Sequence, residues 1–166
     1  MLCELVDGQL VAATGTGWEV LTDRRIGGSS TASFSVCHHG PDEVRWSLNI
    51  SGELIPTIAS PWAGIMFNPG PERLRAVDLS AWDGIQFAIR GDGRTCGLLV
   101  FLASRGRLGA PSVPVTSGPT WATHRFAWRD FDESDGHDVQ GILVAATGSE
   151  GPFELQISDV RLWSGP

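Results

Sequence analysis

Lysine and tyrosine are both absent from this 166-residue sequence, so its twelve basic residues are all arginine. Without lysine, the protein has neither a Schiff-base nucleophile nor the lysine with which a P-loop grips phosphate. Cysteine is scarce: Cys3, Cys37 and Cys96 form no CxxC pattern, and three thiols cannot all pair within one chain. We therefore expect reduced thiols and no metal centre built on cysteine pairs.

Long apolar runs and basic segments are missing as well. No stretch approaches the roughly 18 consecutive apolar residues that indicate a membrane span. Residues 1–7 lack the basic and apolar parts of a signal peptide, so a cytoplasmic protein is expected. The net charge of −7 also argues against a broad electrostatic contact with nucleic acid or with an anionic membrane.

The sequence is rich in residues that form turns, with 21 glycines and 10 prolines. No segment keeps a helical period for more than about three turns. Short apolar runs lie instead between clusters of glycine, proline, aspartate and serine, which is typical of an all-β fold. There is no internal repeat and no low-complexity linker, so we expect residues 1–166 to form a single domain.

Alternating residues predict individual strands. Residues 46–50 alternate between apolar and polar side chains, and residues 85–90 do the same. The following Gly91-Asp92-Gly93 supplies two glycines that can adopt positive φ. We therefore predict a hairpin that leads into a strand at 98–102. Residues 104–119 contain six glycines and prolines, and we expect a long loop or an edge strand there.

Three predicted strands, at 62–67, 98–103 and 141–146, are apolar on both faces. A two-layer sandwich needs only one apolar face per strand, so something must cover the second face. The protein's own loops, a ligand in a concave groove and the surface of a partner are the three candidates. Trp62 and Met66 would be adaptable walls of a groove for an apolar or amphipathic small molecule.

Five segments resemble a known family in residue types and spacing. They are residues 21–30 (LTDRRIGGSS), 61–70, 79–94 (LSAWDGIQFAIRGDGR), 135–138 and 151–162. Together they are similar to the complex I intermediate-associated protein family. Three of them, residues 61–70, 135–138 and 151–162, resemble a subgroup found as the terminal domain of bacterial amidohydrolase-like proteins. The resemblance covers nearly the whole chain and implies a jelly-roll β-sandwich of the galactose-binding-like type. That family includes assembly factors and domains appended to hydrolases, so the resemblance does not imply one ligand.

Residues 22–30 look like a phosphate-binding loop at first sight because they contain a glycine pair. Such a loop needs a helix N-terminus or a nest of amides behind it, whereas a β-type run follows here. We therefore expect Thr22 and Asp23 to bond turn amides. An alternative places the Asp23 carboxylate and the Ser29 and Ser30 hydroxyls at the rim of a groove, where they would orient the polar end of a ligand.

An acidic loop at residues 130–138 contains a single histidine. His137 is the best candidate for a general acid or base, since Asp135 could tune it near neutral pH. Calcium prefers carboxylate and carbonyl ligands, so a structural calcium ion is an alternative, although the loop has no EF-hand pattern. The remaining interpretation is a solvated acidic turn. No other cofactor is expected.

Our first functional hypothesis is a small-ligand-binding β-sandwich domain that takes an apolar or amphipathic molecule, or a glycan, in a concave groove. The ligand-binding candidates are Trp62, Met66, Trp46, Arg24, Ser30 and Arg90. Sugars are usually held by planar aromatic rings with amide, carboxylate or guanidinium groups beside them. The polar residues that would contact a sugar are Arg45, Asn49, Gln86 and Arg90.

Two alternatives belong to other classes. The first is a cofactor-free cyclase or isomerase that holds an apolar, polyketide-like metabolite in one folded shape and so accelerates its reaction by positioning. Its catalytic candidates are His137, Asp135 and Asp23. The second is an assembly or scaffold protein whose additional apolar face contacts another protein, or a second copy of the chain in a homodimer.

Overall fold

The computed structural model describes residues 1–7, 9–42 and 46–165. The strands are β1 (Cys3–Val6), β2 (Gln9–Ala12), β3 (Gly17–Thr22), β4 (Thr31–Cys37), β5 (Ser47–Leu54), β6 (Trp62–Asn68), β7 (Gly84–Gly91), β8 (Thr95–Leu102), β9 (Ser112–Thr116), β10 (Ala122–Ala127), β11 (Val139–Thr147) and β12 (Gly151–Trp163). Three short 3₁₀-helices occur at Asp23–Ile26, Ala103–Leu108 and Trp128–Asp130. No helix in these residues is long and apolar enough to cross a membrane. The all-β prediction is confirmed.

The strands form two five-stranded antiparallel sheets and one small hairpin. The first sheet has the order β10-β7-β12-β5-β4, and the second has the order β3-β6-β11-β8-β9. The hairpin consists of β1 and β2. In both sheets the central strand comes late in the chain, because β12 lies between β7 and β5 and β11 lies between β6 and β8. This is the jelly-roll β-sandwich that the resemblance implies.

The core lies between the inward faces of the two sheets. From the first sheet it receives alternate residues such as Ile85, Phe87 and Ile89, which are fully buried. From the second sheet it receives Ile65 and Phe67, among others. Burying one such side chain contributes about 1.5–3 kcal/mol relative to leaving it in water. The alternation predicted for these segments thus determines which side of each strand faces the core and which side faces outward.

The hairpin predicted around residues 91–93 is wrong. Gly93 does adopt positive φ, at +91°, but the two strands that it joins lie in different sheets. β7 pairs with β10 and β12, whereas β8 pairs with β9 and β11. The short connection passes from one layer to the other, which lets each strand bury an apolar row against the opposite sheet. The turn residues favour a break in the strand, but they do not select the strand's partner.

The second sheet is apolar on its outward face too, as predicted from its strands. Leu21, Met66, Leu143 and Ala145 form a separate buried cluster on that side. Side chains that are partly buried against the cluster come from the same sheet and from the connection between β6 and β7; they are Trp62, Leu74, Leu99 and Phe101. This connection is tied down at Leu74, whose amide donates to Asn68 Oδ1 at 3.2 Å and whose carbonyl accepts from Gln140 at 3.0 Å. The protein's own loop thus covers part of the second apolar face.

Candidate ligand-binding sites

The outward face of the first sheet carries mostly polar side chains. Its inward residues belong to the core, so the alternate residues of the same strands point away from the core. Of these outward residues, Ser47, Gln86 and Ser158 are buried, whereas Ser35, Arg125 and Glu154 are exposed. We call this surface the polar face. Its side chains include Ser33, Ser35, Ser47, Asn49, Ser51, Gln86, Arg90, Thr123, Arg125, Glu154, Gln156, Ser158 and Arg161. The face offers amide, hydroxyl and guanidinium groups on a rigid scaffold.

The strand register places several of these side chains in one row. Ser35 is opposite Asn49, Asn49 is opposite Gln156, and Gln156 is opposite Arg90. Opposite residues in an antiparallel sheet have Cβ atoms about 4.5–5.5 Å apart, so the four side chains are direct neighbours. The side-chain oxygen of Asn49 is buried and accepts no hydrogen bond from any described residue. The middle of the row therefore holds an acceptor that is not satisfied within the described chain.

Two groups of three residues on the polar face share the same arrangement. In the first, Arg90 Nε donates to Gln156 Oε1 at 2.7 Å, and the guanidinium lies 4.9 Å from the centre of the Trp121 ring. Guanidinium over an indole face is a favourable cation–π contact. Trp121 directly precedes β10, beside the end of the row.

In the second group, Arg125 Nε and Nη2 both donate to Gln86 Oε1, at 3.2 and 3.0 Å. Its guanidinium lies 4.8 Å from the centre of the Trp163 ring. We call these two groups the Arg–Gln–Trp clusters. In both clusters, a glutamine side-chain oxygen fixes the orientation of the arginine. Because the amide is neutral, it does not compensate the positive charge of the guanidinium.

A β-bulge interrupts the polar face between Ser158 and Arg161 on β12. Asp159 lies in the bulge with φ +54°, a conformation that side-chain-bearing residues rarely adopt, and it forms an ion pair with Arg161. Bulges re-aim side chains and are frequent beside functional sites. Here the bulge lets Val160 enter the core while Arg161 still points to the polar face.

A recess of about 350 Å³ opens at the edge of the polar face. Its lining includes Arg90 and Gln156 from the first cluster together with Asp92, Pro119 and Glu154. Small-molecule sites have volumes of about 300–1,000 Å³, so this recess lies at the lower end of that range. It is open, and its lining includes one guanidinium and two carboxylates, which suits a hydrated ligand better than an apolar one.

A second recess, of about 410 Å³, lies at the end of the second sheet on its outward side. Trp62, Leu99 and Pro114 supply apolar wall, and no charged side chain lines it. Its polar groups are hydroxyls, from Ser60, Thr95, Ser112 and Thr147. We call it the apolar pocket.

The predicted groove residues are not all in this pocket. Trp62 lines it, but Met66 is fully buried in the cluster beneath the β6–β7 connection and does not line it. Trp46 packs against the main core, and its carbonyl oxygen accepts a hydrogen bond of 2.6 Å from Ser158 Oγ. Trp46 and Trp62 therefore do not line one shared groove.

The polar side chains of the glycine-rich loop form hydrogen bonds within the protein. Asp23 is fully buried, and its carboxylate accepts hydrogen bonds from Ser30 N at 3.0 Å, from Ser30 Oγ at 2.7 Å and from Trp62 N at 3.1 Å. Ser30 Oγ in turn accepts from Ile55 N at 3.1 Å. A Cβ at Gly28 would lie 2.2 Å from the Asp23 carboxylate, so this close approach requires glycine. Asp23 and Ser30 lie inside the loop, with Arg24 exposed beside them.

The acidic loop places His137 and Asp135 together at the surface. The two side chains are 60% and 71% exposed, and the imidazole Nδ1 contacts the Asp135 carboxylate. Hydrogen bonding to that carboxylate raises the pKa of His137, and the same contact lowers the pKa of Asp135. Neither residue lies on the polar face or in the apolar pocket. In the described part of the chain, no three His, Cys, Asp or Glu side chains converge as metal ligands.

Comparison with known proteins agrees with this architecture. The chain is similar in fold to a family 11 carbohydrate-binding module of the cellulosomal cellulase Lic26A-Cel5E of Clostridium thermocellum, with a TM-score of 0.65 and 14% identity over 98% of this chain and 95% of that chain. An exo-β-agarase is similar with a TM-score of 0.62 and 10% identity, over 92% of this chain and 24% of that chain. A search of curated proteins gave no match.

These similarities, with the two antiparallel sheets, place the protein in the class of jelly-roll β-sandwiches. Residues 11–157 match the profile of the Complex I intermediate-associated protein 30 family. The chain therefore belongs to that family, as its sequence motifs predicted.

The sequence reasoning found part of the polar face and missed the rest. Asn49, Gln86 and Arg90, predicted as sugar contacts, all lie on it, while Arg45 lies outside the described residues. The residues missed include the second cluster's Arg125 and Trp163 and the first cluster's Trp121 and Gln156. Alternation at residues 122–126 and 153–157 was the available signal, since it marks two further strands with one polar side.

Proposed function

We propose that the protein is a non-catalytic glycan-binding domain and that the polar face is its binding surface. The observation that carries this proposal is the continuous row Ser35, Asn49, Gln156 and Arg90, which ends beside Trp121. A sugar presents hydroxyl groups around its ring edge and weakly apolar C–H groups on its ring face. Adjacent amide and guanidinium groups match the hydroxyls, and indole rings match the C–H groups.

The shape of the scaffold supports the same proposal. One similar structure is a family 11 carbohydrate-binding module in complex with a β-1,3-1,4-mixed-linked tetrasaccharide, with a TM-score of 0.60 and 14% identity. A shared fold does not transfer a ligand, because function depends on the residues of the site. In this chain, the amide, hydroxyl, guanidinium and indole groups of the polar face are the residues that suit a glycan.

The test is a titration of the purified protein with a panel of oligosaccharides and polysaccharides, followed by intrinsic tryptophan fluorescence and calorimetry. We expect saturable binding to at least one glycan. Trp121→Ala and Asn49→Ala should each weaken that binding, Trp121→Ala by about tenfold or more. Trp62→Ala changes a tryptophan on the opposite sheet and should leave the affinity unchanged. Equal loss in all three variants, or no binding to any glycan, would contradict the proposal.

A second candidate function rests on the apolar pocket. Its volume of about 410 Å³, its indole wall and its uncharged lining suit a neutral amphipathic molecule with a ring system. A cyclase or isomerase would use this pocket to confine its substrate, and His137, Asp135 and Asp23 do not line it. Such an enzyme would therefore act by positioning alone.

The two candidates separate in one experiment. Titration with a panel of neutral polycyclic and polyketide-like molecules should give binding that Trp62→Ala abolishes and that Trp121→Ala leaves intact if the second candidate holds. Turnover of a bound molecule, followed by mass spectrometry, would then identify a cyclase. Binding of glycans and of no polycyclic molecule would support only the glycan-binding proposal. Absence of binding to either panel would favour a protein partner.

A further inference from the structure

The two Arg–Gln–Trp clusters repeat one arrangement on neighbouring strands. In each, the arginine Nε donates to a glutamine side-chain oxygen and the guanidinium lies over an indole ring, at 4.9 and 4.8 Å from its centre. Each arginine is thus held by a neighbouring strand and by a tryptophan. Two arginines held in this way are preorganised, so little side-chain entropy is lost when they bind a ligand.

The charge of these two arginines is not neutralised within the described part of the chain. Arg73, Arg94, Arg105 and Arg161 form ion pairs with carboxylates. Arg90 and Arg125 form none with any described carboxylate, and their acceptors are the neutral amides of Gln156 and Gln86. A guanidinium has five N–H donors, and the bonds to glutamine use one in Arg90 and two in Arg125. Both side chains retain donors and a full positive charge.

The chain as a whole has a net charge of −7. On the polar face, Arg90 and Arg125 form no ion pair with a described carboxylate, although Asp92 and Glu154 line the recess beside Arg90. Each of the two guanidinium groups is therefore a local attractive site for anions. The planar fork of arginine matches carboxylate and other oxyanion groups in a bidentate geometry.

We propose that the glycan bound at the polar face is acidic, with uronate carboxylates or sulfate esters that pair with Arg90 and Arg125. This inference rests on the proposed function and names the substrate class of the same site. Neutral hydroxyls of the same ligand would contact Asn49, which lies beside Gln156 in the row.

The spacing of the clusters sets the minimum ligand length. Gln86 and Arg90 point outward from the same strand, four residues apart, so the clusters are separated by roughly 13 Å at the backbone. One sugar ring cannot reach both clusters. The ligand is thus an oligosaccharide or polysaccharide in which anionic groups recur along the chain.

The experiment compares four probes on the 166-residue protein by calorimetry at low and moderate salt. They are polygalacturonate, its carboxyl-reduced neutral counterpart, a sulfated galactan and a single-stranded oligonucleotide. We expect polygalacturonate or the sulfated galactan to bind about tenfold or more tightly than the neutral polymer, with affinity that falls as salt rises. The two anionic arms distinguish carboxylate from sulfate as the recognised group.

Matched variants localise the effect. Arg90→Gln and Arg125→Gln should each lose about tenfold in affinity for the acidic polymer. Arg75→Gln makes the same change of charge on the connection that packs against the opposite sheet, and it should have no effect. Gln156→Leu keeps the charge but removes the acceptor that orients Arg90, so a smaller loss is expected. Circular dichroism of each variant verifies that it is folded.

Two outcomes would overturn the inference in different ways. Equal affinity for the acidic and neutral polymers, with Arg90→Gln and Arg125→Gln unchanged, would reject the acidic ligand and leave the glycan-binding proposal intact. Absence of binding to every polysaccharide would reject both. If the oligonucleotide bound most tightly, the ligand would be a nucleic acid and not a glycan. That result would reject both the acidic-glycan inference and the glycan-binding proposal.

Discussion

The outward surfaces of the two sheets differ sharply although the sheets share one core. On the first sheet, the outward positions carry serine, asparagine, glutamine and arginine, and several of them, such as Ser35 and Arg125, are exposed to solvent. On the second sheet, the corresponding positions carry Leu21, Met66, Leu143 and Ala145, which are buried beneath neighbouring side chains and a loop. The two faces therefore differ in how many of their side chains reach solvent. One face presents polar groups, whereas the apolar side chains of the other face are largely buried by packing.

Introducing a carboxylate at an outward position of each sheet gives the largest contrast. Met66→Asp should destabilise the protein by about 3–5 kcal/mol, because it buries a charge that has no partner and removes apolar packing. Ser35→Asp makes a similar change on the polar face, where the side chain is exposed, and should cost about 0.5 kcal/mol or less. Urea denaturation measures both. Similar losses in the two variants would show that the faces are not different in burial.

The second prediction concerns the junction between the sheets. Asp23 follows β3 of the second sheet and Ser30 precedes β4 of the first, so their hydrogen bonds join the two layers at one edge. Asp23→Ala should cost about 3 kcal/mol, because buried donors are left unsatisfied. Thr22→Val is the control, since Thr22 accepts only an exposed, long hydrogen bond of 3.4 Å from Arg24 N. A change in Tm no larger for Asp23→Ala than for Thr22→Val would contradict this role.

The third prediction uses the cysteines as probes of the two environments. Cys37 is half-buried at the outward end of β4, beside the polar face, whereas Cys3 and Cys96 are buried. Burial raises the pKa of each of the latter two thiols to about 11. At pH 8 their thiolate fraction is therefore ~0.1%, and maleimide should label Cys37 first. Mass spectrometry of timed samples locates the label, and rapid labelling of Cys96 in the folded protein would contradict the burial.

The smallest effect is expected at the acidic loop, which belongs to neither face. Asp135 raises the pKa of His137, so the pair contributes stability below the unfolded histidine pKa near 6.5, and this is lost as pH rises through the raised value. Both groups are exposed, so the change in stability should be slight. NMR titration should show Asp135→Asn lowering the pKa of His137. The affinity for a glycan should not change as His137 titrates. A change in affinity with the protonation of His137 would place the acidic loop in the binding site.

The sequence predicted the polarity of both faces but not how the strands are arranged. Alternation at residues 46–50 and 85–90 identified one polar row, and the apolar strands identified the covered face, because both patterns are local. The partner of β7 was predicted wrongly because pairing depends on strands far away in the sequence. The Arg–Gln–Trp clusters were invisible for the same reason, since Arg90 and Gln156 are 66 residues apart and meet only through the sheet register.

The position of β12 in the first sheet has a consequence for how the polar face forms. β12 is the last strand described, yet it lies in the centre of the sheet and contributes Gln156, Ser158 and Arg161 to the face. Strands β5 and β7 are its neighbours on either side, and both are synthesised long before it. Such non-local pairing slows folding, because long loops must close before β12 can pair with either neighbour. Until β12 pairs, the β10-β7 and β5-β4 halves of the sheet are not joined and their edges are open, so the row of side chains that crosses the polar face is completed by the last of its strands in the chain.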